Sequence, residues 1–150
     1  MSEEKAEKKP KKVWMDGPIS PAFIANSIAK HAEKKDIGAH QIFLGQVRND
    51  LIEGSPVVAI EYSTYEELAN TKLHEIREDC FAKFKLSCMH IYHSLGAVKT
   101  GEICLFVFTS SAHRAPATEA CAYVVERIKK EVPIWGKEIT EDSSQWKVNQ

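Results

Sequence analysis

The sequence predicts an α+β fold: a single domain in which three helices accompany a largely antiparallel sheet. Three observations carry this. Apolar residues recur at helical spacing in three separate stretches, while the intervening runs are β-branched and aromatic. Those strand-like runs arrive in adjacent pairs between helices, which argues against a doubly wound parallel sheet. A chain of 150 residues with 43% hydrophobic and 27% charged residues is enough for one well-buried core.

In chain order, Val13-Trp14-Met15 is a short apolar segment that reads as an edge strand. Ser20-Pro21 reads as an N-cap followed by proline at the first helical position, and Phe23, Ile24, Ile28 and Ala32 give that helix one apolar stripe. Residues 37–47 form the next strand, and Arg48-Asn49-Asp50 through Gly54-Ser55-Pro56 is a polar loop. Residues 57–62 are a second strand. From about Glu66 to Phe84 the positions Ala69, Leu73, Ile76, Cys80 and Phe84 line a second helix. Residues 86–93 are a strand, 95–101 a turn-rich connection, and 102–109 the most apolar strand, expected mid-sheet. A third helix starts at or near Pro116 and stops before Pro133, because proline disfavours α conformation in the residue preceding it. Residues 134–140 are a last extended piece, trailed by a polar end containing Trp146.

Net charge is −1, so no global electrostatic footprint points to nucleic acid or to a membrane surface. Residues 1–12 hold five lysines and three glutamates and read as a disordered charged tail without the apolar core of a secretory signal. No apolar run approaches the ~18 residues that span a bilayer. Cys80, Cys88, Cys104 and Cys121 show no paired spacing and read as reduced, structural cysteines of a cytoplasmic protein.

The chemistry-bearing residues cluster in two motifs. Ser110-Ser111-Ala112-His113-Arg114 puts an imidazole and a guanidinium at a strand-to-helix turn, where forked donors and the helix N-terminus suit an anion. His113 reads equally as an acid–base group or as a capping residue. Near the other end of that helix come Lys129-Lys130 and then Ile134-Trp135-Gly136-Lys137-Glu138. Lysines in a last turn complement the helix dipole, but Trp135 and Ile134 packing inward would desolvate a neighbouring ammonium and ready it for proton transfer. Arg48, at the end of Phe43-Leu44-Gly45-Gln46-Val47-Arg48, is a surface ion-pair candidate or a second phosphate contact, and antiparallel topology could bring it to one rim with His113-Arg114. His90 and His93 fall on opposite faces of a strand and are not expected to share a metal.

Taken together, these residues resemble the MoaE family, the large catalytic subunits of molybdopterin synthase. The match runs through Gly38-Ala39, residues 43–49, Ile60-Glu61-Tyr62 with Tyr65, His93 with Gly96, residues 110–114, and residues 132–138. The resemblance implies an α+β fold and a sulfurtransferase. Sulfur would pass from the C-terminal thiocarboxylate of a small ubiquitin-like MoaD-type partner to cyclic pyranopterin monophosphate, forming the molybdopterin dithiolene. It implies a homodimer within a heterotetramer, and neither metal nor cofactor in this subunit. By the same match, Lys129 is a catalytic lysine, Arg48, His113 and Arg114 bind substrate, and Phe43 and Glu138 shape the pocket wall. The family's second lysine position is Gly136 here, leaving Lys137 as its candidate replacement, and an arginine position after His93 is Ser94. These departures favour, as the alternative, a non-catalytic relative that only binds the partner. An unrelated phosphate-ester hydrolase, suggested by Gly45-Gln46-Val47-Arg48, is the remaining alternative.

Overall fold

The computed structural model describes residues 13–142 and 144–146. The charged tail of residues 1–12 lies outside them. The chain runs β1 (Trp14–Asp16), α1 (Pro21–Lys30) with a 3-10 turn (His31–Glu33), β2 (Ala39–Gln46), β3 (Leu51–Ile52), β4 (Ser55–Pro56) and β5 (Ala59–Thr64). It continues with α2 (Glu66–Lys83), β6 (Cys88–Lys99), β7 (Ile103–Ser111), α3 (Arg114–Glu131), β8 (Ile134–Ile139) and β9 (Ser144–Trp146). The main sheet has the order β2-β7-β6-β5-β8-β9, with β1 added alongside β6. Its ladders are antiparallel except for β1 on β6, where Trp14 lies opposite His93.

Two helices cover one face of this sheet and one covers the other. Ala69, Leu73, Ile76 and Cys80 of α2 and Ala120, Cys121, Val124 and Ile128 of α3 pack with Met89, Ile91, Leu105 and Val107. On the opposite face α1 lays Phe23 and Ile24 over Ile19, Phe106 and Phe108. Strand β7 is therefore buried on both sides, which explains its unbroken apolar run from Ile103 to Phe108.

One expectation needs correction. The turn-rich connection expected over 95–101 is confined to its end: β6 runs on to Lys99, because Gly96 takes a φ of 87° and lets the strand leave β7 and pair with β5. The polar end adds a further strand, since Ser144–Trp146 pairs with β8. The third helix begins at Arg114, so Pro116 falls in its first turn, in keeping with a start at or near that proline. Proline is tolerated there because the first-turn N–H groups have no intrahelical partner.

Candidate functional site

A pocket of about 370 Å³ opens between the C-terminal half of β2, strand β5 and the last turn of α3. Its wall includes Phe43, Arg48, Tyr62, Cys104 and Lys129. The register of β2 on β7 shifts between Gly45 and Gln46. Beyond it Val47, only 2% exposed, anchors the turn through hydrogen bonds with Glu102 and Gly101. Arg48 follows this anchor directly. Its guanidinium donates to the Asp50 carboxylate at 3.1 Å, and both side chains are largely exposed. An exposed pair of that kind is worth little, so an arriving anion can compete for the arginine.

Lys129 comes from α3, held in place by buried Ile128 and Val132 on either side. The lysine itself is exposed, and so is Trp135. Of the two residues expected to pack inward, Ile134 does so, half-buried against the core, whereas Trp135 does not. Behind the pocket, the Tyr62 hydroxyl donates to Cys104 Sγ at 3.4 Å, and the Cys104 thiol donates to the Gly45 carbonyl at 3.5 Å. Burial first, then Cys104 and the Glu138 carboxylate, push the Tyr62 hydroxyl well above the usual phenol range. It stays a protonated donor. The Tyr62 ring meets His93 edge-on at 5.1 Å, and burial lowers the His93 imidazole to about 4. The Ser94 carbonyl, accepting from His93 Nδ1–H at 2.8 Å, opposes that shift, while the Lys129 ammonium adds to it. All four cysteines are free and buried, and Cys104 alone of them lines the pocket.

The structure brings Phe43, Arg48 and Lys129 together and separates the other candidates. Strand β8 pairs with β5 so that Gly136 lies opposite Tyr62 and Glu138 opposite Ile60. Alternation turns these four positions to one face and Lys137, opposite Glu61, to the other. A Cβ on Gly136 would lie 2.9 Å from Ile60 Cγ2 and 3.3 Å from the Tyr62 ring, so it faces the pocket wall. Lys137 accordingly does not occupy the place of a side chain at 136, because a shift of one residue reverses its direction. Glu138 is buried behind Tyr62 and supports the wall without lining the cavity.

His113 and Arg114 are exposed at the start of α3, where His113 is the N-cap residue without a side-chain cap bond. Antiparallel pairing puts Ala39 opposite Ser111, so the end of β7 meets the start of β2, not its end. About 23 Å of α3 separates Arg114, at its start, from Lys129 in its last turn. The single rim expected for Arg48 and His113-Arg114 is not formed within one chain. Sequence reasoning missed Tyr62 and Cys104 as pocket residues. The alternation of Ile60 and Tyr62 on one strand was the available signal for Tyr62, whereas nothing local marked Cys104.

The model of the MoaE protein family matches residues 17–131. This chain belongs to the MoaE family. It is 40% identical to the molybdopterin synthase catalytic subunit of Bacillus subtilis (strain 168) over 120 residues, 80% of this chain and 76% of that relative. It is 39% identical to the Homo sapiens molybdopterin synthase catalytic subunit over 112 residues, 75% of this chain. That match spans 59% of the human relative's length. The crystal structure of molybdopterin synthase from Staphylococcus aureus superposes with a TM-score of 0.78 at 31% identity, covering 92% of this chain and 97% of that one. The three-helix, mostly antiparallel arrangement is thus the MoaE fold. No helix among the described residues is long and apolar enough to cross a membrane.

Proposed function

We propose that this MoaE-family chain is the large subunit of a molybdopterin synthase. It moves sulfur from the C-terminal thiocarboxylate of a small ubiquitin-like MoaD-type partner to cyclic pyranopterin monophosphate, and so builds the molybdopterin dithiolene. The observation that carries this reading is the convergence of Arg48, Phe43 and Lys129 on one pocket. Arg48 offers a planar fork of donors for the substrate phosphate. Phe43 gives a flat apolar wall for the pterin, and Glu138 and Tyr62 stiffen the opposite wall. The thiocarboxylate sulfur forms a C–S bond on the substrate as a C–O bond there breaks, and water then cleaves the acyl C–S bond, leaving the partner's tail as a carboxylate; both steps move protons. Lys129 supplies an ammonium for those protons or for the partner's terminal carbonyl.

His113 and Arg114 stand too far along α3 to serve the pocket of their own chain. In this reading they belong to a homodimer flanked by two small partners, where one copy's His113-Arg114 completes the anion site of the other. A second reading, a partner-binding relative without catalysis, is favoured by Gly136, which leaves the wall beside Tyr62 without a second ammonium.

Reconstitution with a thiocarboxylated MoaD-type partner and the precursor tests both. Dithiolene product is expected from the unmodified protein, with a loss of roughly 100-fold or more in rate for Lys129→Ala. Product formation indifferent to Lys129 would remove it from the chemistry. No product from the unmodified protein, with partner binding intact, would establish the second reading.

A further inference from the structure

We propose that His31, Cys88 and His90 form a zinc(II) site on the face of the sheet covered by α1, sharing no residue with the pocket. Each of the three side chains offers one donor atom, and these atoms lie within 4.8 Å of one another. It is the one such cluster among the described residues. Cys88 and His90 are two apart on β6 and project to the same side. His31 opens the 3-10 turn after α1 and closes over them, leaving His31 8% and Cys88 6% exposed.

The two imidazoles meet Nε2 to Nε2 at 3.1 Å. In tetrahedral zinc sites, Zn–N bonds of ~2.0–2.1 Å place two nitrogens roughly 3.3 Å apart, so the pair needs little movement. His31 is already oriented: its Nδ1–H donates to the Ser27 carbonyl at 2.8 Å, which leaves the Nε2 lone pair facing His90. A zinc-bound histidine is commonly held by an outer hydrogen bond of that kind. Without metal, His90 Nε2–H donates to that lone pair. On binding, the metal replaces this hydrogen, neutral His90 carries its proton on Nδ1 instead, and the Cys88 thiol releases its proton to solvent. One proton is freed per zinc.

Lys34 Nζ lies 3.9 Å from Cys88 Sγ and is exposed. It can swing into water as the metal takes over the sulfur. Two imidazoles and one thiolate are a borderline-soft set that suits zinc. The fourth position is open to water or to His40, whose ring centre is 5.9 Å from that of His31. Such a site ties the end of α1 to β6, so its role is to clamp helix to sheet.

The test uses the full metal-free chain titrated with cobalt(II), a spectroscopic stand-in, followed by zinc. One equivalent of cobalt is expected to give a thiolate-to-cobalt charge-transfer band with intense four-coordinate d–d bands. Zinc should bleach both and raise Tm. Cys88→Ser should abolish the charge-transfer band and weaken zinc at least about tenfold. His90→Gln should weaken zinc similarly but keep the band, and Cys80→Ala should change neither. Absence of the band in the folded native chain, or its survival in Cys88→Ser, overturns the proposal. If Cys88→Ser does not fold, unchanged zinc affinity in His90→Gln overturns it instead.

Discussion

At position 136 the pocket wall has no side chain, and at position 137 a lysine points the other way. The difference is one step along an extended strand, and it decides how many ammonium groups the pocket holds. Lys137→Ala should therefore leave the rate of dithiolene formation within about twofold of the unmodified protein, the usual range for a change outside the site. A loss comparable to that of Lys129→Ala would mean that β8 leaves its register when the partner tail binds. His93 makes a second residue-scale prediction. Its imidazole is neutral and buried in the native state and titrates near 4, whereas the unfolded chain takes up that proton near 6.5. Between those values the unfolded state binds more protons, so the contribution is complete above 6.5 and falls as pH drops towards 4. The loss is on the order of 3 kcal/mol. Urea midpoints recorded across this window should decline in the native chain and decline less steeply in His93→Gln.

Elements here are bounded by side-chain chemistry that sequence displays openly. Ser20 Oγ accepts the Phe23 N–H at 3.1 Å and Pro21 opens α1, just as their order predicts. Ser20→Ala should cost about 1 kcal/mol in equilibrium unfolding. Gly38 is a different case, because its requirement is tertiary. A Cβ there would run into the carbonyl of Ala112, in the segment that links β7 to α3, while the Gly38 N–H is held by the Ser111 carbonyl at 3.0 Å. Gly38→Ala should cost about 1–3 kcal/mol, and a melting curve unchanged from the native one would show that the β7–α3 link yields easily. Strand β6 outruns its local signal for a related reason. Its central Gly96 looks locally like a turn, but neighbours on both sides let a strand continue through a positive φ.

For the whole molecule, the distance between the two ends of α3 is the governing fact. If His113 and Arg114 serve a second copy's pocket, then Arg48→Ala and Arg114→Ala should each be inactive alone yet regain product when mixed, since a mixed dimer restores one complete pocket. Failure to recover activity in demonstrably mixed dimers would confine the anion site to Arg48 and Lys129. The sequence by itself determined the α+β class, the three helices and their principal faces, the N-cap of α1, the apolar, mid-sheet β7 and the family motifs. These follow from periodicity, capping and turn chemistry, which act over a few residues. It also marked Phe43, Arg48 and Lys129, because motif order is local too. Only the tertiary structure decided that Arg48 and His113 lie at opposite ends of the sheet, that Lys137 faces away from Tyr62, and that Cys104 lines the pocket. It alone brought His31 to His90 from 59 positions away. Strand order and register fix such distances, and these are set by which surfaces bury each other across the whole chain.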